Sequence, residues 1–175
     1  MDETSNPNYC WCMRWRLSSS EFGRLKSAGR KAALERLVLA DTPVGILGYL
    51  NGEPAGWCSV ARRETYALLE RSRTIKRIDD LICWSVVCFF VAPKLRRQDF
   101  TMELLRAAID YARSQGAQVV EGYPVEPCRD ADGSLQPVTY RFMGYVSTFR
   151  KAGFREVVPS GQGRRRIMRY IVSSG

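Results

Sequence analysis

Two clusters of residues in this chain have the types and spacing to do chemistry. The first is Glu121, set in the largely apolar stretch Gln118–Pro124 and on the same face of an extended chain as Val119 and Tyr123. A carboxylate inside an apolar strand is desolvated, which is one way proteins prepare a general base. The same position also suits a structural ion pair with one of the chain's many arginines, because buried charge is normally paired. Asp79 and Asp80 offer a similar carboxylate, or cap the loop before the next apolar run. The second cluster is Lys94, Arg96 and Arg97, placed between the apolar run Cys83–Val91 and a helical tract. A strand that delivers cations and a helix N-terminus to one point suits a phosphate-bearing ligand, because unpaired N–H groups and the helix dipole converge there.

Composition narrows the remaining chemistry. The 175 residues include no histidine, which removes Ser–His and Cys–His nucleophile pairs. Six cysteines without CxxC spacing, several in apolar runs, are expected to be buried reduced thiols, with no metal and no disulfide. There is no P-loop, no GxSxG turn and no complete GxGxxG; Gly161-Gln-Gly163, followed by three arginines, reads as a turn. The net charge of +9 rests on 22 arginines against 5 lysines. Guanidinium forks match phosphate, so this surplus suits a nucleotide, a nucleic acid or an acidic substrate, or simply solvates the surface. The longest apolar run, Val86–Ala92, is too short to cross a bilayer, and the segment MDETSNPN lacks a basic flank and an apolar core. A cytoplasmic protein without a membrane partner is expected.

The elements that must position these residues follow from periodicity. Cys12–Leu17 alternates loosely, which predicts an opening strand. Ser18–Glu21 has capping-box spacing before a helical tract to Leu39, which Gly29 is expected to divide. Val44–Leu50 and Pro54–Arg62 flank Asn51-Gly52, the strongest hairpin signal in the chain. Arg63–Asp80 is a charged insertion with a short helix expected at Glu64–Arg71. Cys83–Val91, nearly continuous in apolar residues, predicts a central strand covered on both faces. Met102, Leu105, Ala108, Ile109 and Ala112 repeat at helical spacing. Gln118–Pro124 predicts an inner strand, Val125–Pro137 a loop, Tyr145–Ala152 a short helix, and Phe154–Val158 with Arg165–Val172 a closing hairpin. The expected architecture is a single α/β domain over residues 1–175, with a mixed, twisted sheet of six or seven strands and helices on both faces.

This order of elements, with FFVAPKLRRQDFTMELLRAAIDYA, VVEGYPV and STFRKAGFREV at its core, resembles the GNAT acyltransferase superfamily over nearly the whole chain. The resemblance implies acetyl-CoA, or another acyl-CoA, as co-substrate. In that family a loop of pattern Arg/Gln-x-x-Gly-x-Gly/Ala binds the pyrophosphate, and here it falls on Arg96-Arg97-Gln98-Asp99-Phe100-Thr101. Arg96 matches, whereas Asp99 and Thr101 stand where small residues are usual. A Cβ there takes up space, and Asp99 as a helix N-cap would compete with a phosphate for the same amides. The resemblance also implies that backbone N–H groups near Phe90 and Val91 polarise the acyl oxygen. Many members carry a Tyr that protonates the departing thiolate in the slot held here by Phe149; Tyr145, Ser147 or water is then the proton source. Lys151 is placed to reach a cofactor phosphate or to solvate a helix face.

For the acceptor, Trp57, Tyr66 and Tyr123 are expected to line a pocket or to fill core. The leading function is transfer of an acyl group, most simply acetyl, to a primary amine of a small molecule or peptide by direct attack on the thioester, with Glu121 as base, in a monomer or homodimer. Two other functions remain open on the sequence. One keeps the fold with a different donor, such as an aminoacyl-tRNA or a carrier-bound acyl group, or with no transfer at all. The other is a basic nucleic-acid-binding module.

Overall fold

The computed structural model describes residues 9–96, 99–127, 142–158 and 165–172. Asn51 and Gly52 both adopt positive φ, 52° and 82°, which matches the twist of a two-residue hairpin. They join β1 (Ile46–Leu50) to β2 (Glu53–Arg62) in an antiparallel pair. The apolar run becomes β3 (Cys83–Val91), antiparallel to β2, and is followed by α4 (Phe100–Ser114) and β4 (Val119–Gly122), which pairs parallel with β3. Ahead of these lie α1 (Ser19–Arg24), α2 (Ser27–Leu39) and α3 (Ala67–Glu70). After them come α5 (Val146–Lys151) and the hairpin of β5 (Arg155–Val158) with β6 (Ile167–Ile171). The sheet is mixed and six-stranded, in the order β1-β2-β3-β4-β6-β5, as the sequence predicts for an α/β chain of this pattern.

Strand alternation divides the interior into two layers. On one face Val60, Trp84, Val86, Val120 and Met168 pack beneath α4, which buries Leu104, Leu105, Ala108, Ile109 and Ala112 along one side. On the other, Ala61, Val87, Cys88 and Tyr123 pack with Tyr66, Leu69 and Ile75.

Two features of β3 shape the site. Cys88 pairs with Ser59 but Val86 pairs with Val60, so Val87 is an extra residue and β3 carries a bulge. The ladder to β4 runs only from Cys83–Val119 to Val86–Gly122. Beyond Val86, β3 continues to Val91 without β4 beside it.

The structure corrects several expectations. Cys12–Leu17 forms successive turns instead of a strand, because Trp11 and Cys12 both take positive φ, 48° and 53°, and Met13 N–H closes on Cys10 O. The helical tract breaks at Leu25–Lys26, both extended, while Gly29 lies within α2. A Cβ at Gly29 would stand 3.0 Å from a Leu25 methyl, so that glycine serves close packing. The capping box holds: Ser18 Oγ accepts from Glu21 N–H, and Glu21 accepts from Ser18 N–H. In place of one helix, the insertion opens with a 3-10 turn, Arg63–Thr65, followed by α3. Gly161-Gln-Gly163 and most of the Val125–Pro137 loop lie outside the described residues.

Candidate active site

Where β4 stops and β3 continues, the sheet opens into a cleft of about 390 Å³. Its walls come from Phe89, Phe90 and Val91 on β3, Thr101 on α4, and Gly144, Tyr145 and Thr148 at the start of α5, with Arg96 among the residues at its edge. The register settles which backbone groups face it. Ala92 N–H donates to Ala55 O at 2.9 Å, so Val91–Gly56 is a non-hydrogen-bonded pair and Phe90–Trp57 a hydrogen-bonded one. The N–H groups of Phe89 and Val91 therefore point away from β2, toward the side β4 has left, and that of Phe90 points back to β2. Of the two amides expected to polarise an acyl oxygen, Val91 is oriented for it. Phe90 lines the cleft with its amide turned away.

The loop from β3 to α4 keeps the backbone shape of a glycine-bearing turn without the glycine. Asp99 has φ 55° and ψ 8°, the left-handed region that favours glycine and that aspartate tolerates better than most residues. Its exposed side chain makes no capping hydrogen bond to α4. The carboxylate therefore leaves the first amides of that helix open, against the expectation that it would take them. Arg96 Nε donates to Val91 O at 3.2 Å, which ties the loop to the strand end and holds the guanidinium at the cleft. Thr101 lines the cleft; Phe100 is half-buried beside it; Arg97 and Gln98 lie outside the described residues.

Glu121 sits instead in a buried polar network on the other face. It is fully buried and accepts from Arg63 Nη1 at 2.9 Å, Arg169 Nε at 2.6 Å and Tyr123 Oη at 2.7 Å. Arg63, itself 1% exposed, also donates to Tyr123 Oη at 2.8 Å, Glu70 at 2.7 Å and Ile75 O at 2.9 Å. Ser85 Oγ lies 2.8 Å from the same phenol oxygen. Arg169 reaches outward to Asp79, whose carboxyl is held below its usual range by that guanidinium. Burial raises the Tyr123 phenol well above its usual range, so it stays a donor to Glu121. The network fastens the Arg63–Asp80 insertion to β3, β4 and β6. Neither Glu121 nor Tyr123 is among the cleft-lining residues, so the geometry displays the ion-pair alternative for Glu121 and the core alternative for Tyr123.

Phe149 is likewise core. It is fully buried, edge-on to Phe89 and Phe154, and seated over Gly122, where a Cβ would stand 2.0 Å from its ring. Lys151 is exposed on α5 and does not line the cleft. Tyr145 does line it, one residue ahead of α5. Trp57, weighed between an acceptor pocket and the core, lines a pocket: with Tyr9, Trp11, Cys12, Leu34, Leu47 and Phe90 it encloses about 280 Å³ on the second face of the sheet. Sequence reasoning missed Thr148 in the cleft and the Tyr9–Cys12 segment in this pocket. The density of aromatics at Tyr9, Trp11 and Trp15 was the available signal.

Comparison with known proteins bears on the family and the fold. The sequence profile of the Acetyltransferase (GNAT) family matches residues 11–130. No curated protein matches the chain. Among solved structures, PaiA N-acetyltransferase of Thermoplasma acidophilum, in complex with coenzyme A, superposes with a TM-score of 0.52 at 12% identity, over 97% of this chain and 89% of its own. A protein assigned to the GNAT acetyltransferases of Desulfovibrio desulfuricans does so with a TM-score of 0.54 at 11% identity, over 98% and 93%. At such identities these structures speak to the fold alone, and membership is carried by the profile over more than two thirds of the sequence: this chain belongs to the GNAT acetyltransferase family.

Proposed function

We propose that the protein transfers an acyl group, most simply acetyl, from a coenzyme A thioester to a primary amine. The observation that carries this is the opening between β3 and β4, with the Val91 N–H turned into it and the first turn of α4 left uncapped by Asp99. The residues present fit such a donor. The α4 amides and Arg96 would take its phosphates, and the gap beside Phe89 and Val91 would take its extended arm. When bound, acetyl-CoA supplies an activated acyl carbon. Val91 N–H then donates to the acyl oxygen as it gains charge, a stabilisation worth about 3 kcal/mol for one well-placed donor. Tyr145, in the cleft wall, is placed to return a proton to the departing thiolate. Among the described residues lining the cleft none is a carboxylate, so the amine enters neutral or loses its proton to water.

Calorimetry with acetyl-CoA tests the reading. Binding with Kd about 1–10 μM is expected, weakened about tenfold by Arg96→Ala through loss of a charged fork. Absence of heat at millimolar acetyl-CoA overturns it, and co-purification of RNA or a carrier protein in its place would point to another donor.

A further inference from the structure

We infer that the acceptor is a primary amine carrying an aromatic ring, and that the ring is held in the pocket bounded by Trp11, Cys12, Leu47 and Trp57. This rests on the acyl-transfer reading above. Phe90 is the connecting element: it lines both the donor cleft and this pocket. An amine whose ring occupies the pocket stands on the opposite side of Phe90 from the thioester arm, with its nitrogen directed at the strand end where Val91 N–H lies.

The chemistry of the walls selects the occupant. Four rings, two leucines and one thiol enclose the space, and among the described residues no carboxylate lines it. The indole N–H of Trp57 donates to the Cys12 sulfur at 3.2 Å, so the polar atoms of these two side chains satisfy each other. Lys31 lies 5.3 Å from the centroid of the Trp11 ring, which places a positive charge beside the pocket and disfavours a second cationic group on the acceptor. A volume of about 280 Å³ falls just below the range of roughly 300–1,000 Å³ for drug-sized ligands, so one ring with a short amine arm fits.

A second observation is independent of the lining. Trp11 and Cys12 are consecutive non-glycine residues in the left-handed region, an arrangement that is costly unless the surroundings enforce it and that collects at ligand sites. Here it is enforced: Trp11 Nε1 donates to Ser27 Oγ at 3.0 Å, and Arg30, buried against Phe22, donates to Tyr9 O at 3.1 Å. The strained turn aims both side chains into the pocket.

The pocket also addresses the missing base. An apolar enclosure disfavours the charged form of an amine, so the neutral nucleophile is presented without histidine or carboxylate. As the N–C bond forms, the thioester C–S bond breaks, and the proton lost by nitrogen ends on the departing thiolate.

The test measures thiol release from acetyl-CoA with 2-phenylethylamine and tryptamine against spermidine and glycinamide, with acetyl-CoA binding followed by calorimetry in parallel. The aromatic amines should exceed the others in kcat/KM by at least about tenfold. Leu47→Glu, on a side chain already 53% exposed, should remove most of that advantage while leaving the acetyl-CoA Kd unchanged. If acetyl-CoA binds but all four amines react alike, or if Leu47→Glu leaves the preference intact, the inference is overturned and the donor reading survives. If acetyl-CoA does not bind, both fall.

Discussion

The two halves of β3 meet opposite fates. From Trp84 to Val86 the strand is paired on both sides, and the polar groups projecting from its neighbourhood, Ser85, Glu121 and Tyr123, are closed off by Arg63 and Arg169. From Phe89 to Val91 the β4 side is open, and the groups that face it are backbone amides, rings and the Arg96 guanidinium. The conspicuous carboxylate thus belongs to the closed half, and the inconspicuous backbone to the open one. In this protein buried charge secures the scaffold, and the proposed chemistry falls to the open half, where backbone amides stand beside Arg96 and Tyr145.

The sharpest way to break that comparison is to remove the charge. Glu121→Ala would leave Arg63 and Arg169 buried without their shared anion, and a loss of about 3–5 kcal/mol in urea unfolding is expected. Wild-type stability in that variant would place Glu121 outside the scaffold role. High pH offers a second lever on the same buried face of the sheet. Burial pushes the Tyr66 phenol up to about 12 from 10.0, so the folded form holds its proton more tightly than the unfolded chain does. The corresponding stability is complete below pH 10 and is lost as pH rises toward 12, about 2–3 kcal/mol across that window. Urea midpoints that do not move between pH 9 and 12 would contradict this.

Gly122→Ala probes the boundary between the halves. Its Cβ would meet the Phe149 ring at 2.0 Å and push α5, which bears Thr148, out of place. A destabilisation of about 1–3 kcal/mol and weaker acetyl-CoA binding are expected, both eased by adding Phe149→Leu. Asp99→Gly should have the smallest effect and the opposite sign. Relief of a left-handed aspartate is worth about 1 kcal/mol of stability, and removal of its charge should tighten acetyl-CoA binding several-fold. Weaker binding in that variant would mean that the carboxylate assists the donor.

Much of the frame was legible in sequence because it is local. Nine largely apolar residues in a row, an Asn-Gly turn, a capping box and a helical repeat each produce their element within one window, and β3, the β1–β2 turn, α1 and α4 follow. The site was only half legible because its geometry is made at long range. Glu121 was recognisable as a residue needing a partner, but Arg63 and Arg169 lie 58 and 48 residues away. Trp57 and Tyr123 were both aromatics expected to line a pocket or to fill core; only the fold sends one to a cavity and the other to a buried hydrogen-bond network. The opening itself depends on where β4 ends, and Gly122-Tyr123-Pro124 hints at an end without saying what faces it.

Backbone amide NMR during an acetyl-CoA titration tests the central claim directly, since it reads each half of β3 separately. The shifts of Phe89, Val91, Phe100, Thr101 and Tyr145 should move together with one affinity, while those of Trp84, Ser85 and Val120 stay in place. Movement centred on Glu121 and its arginines, or none anywhere at millimolar ligand, would contradict the assignment of the donor to the open half.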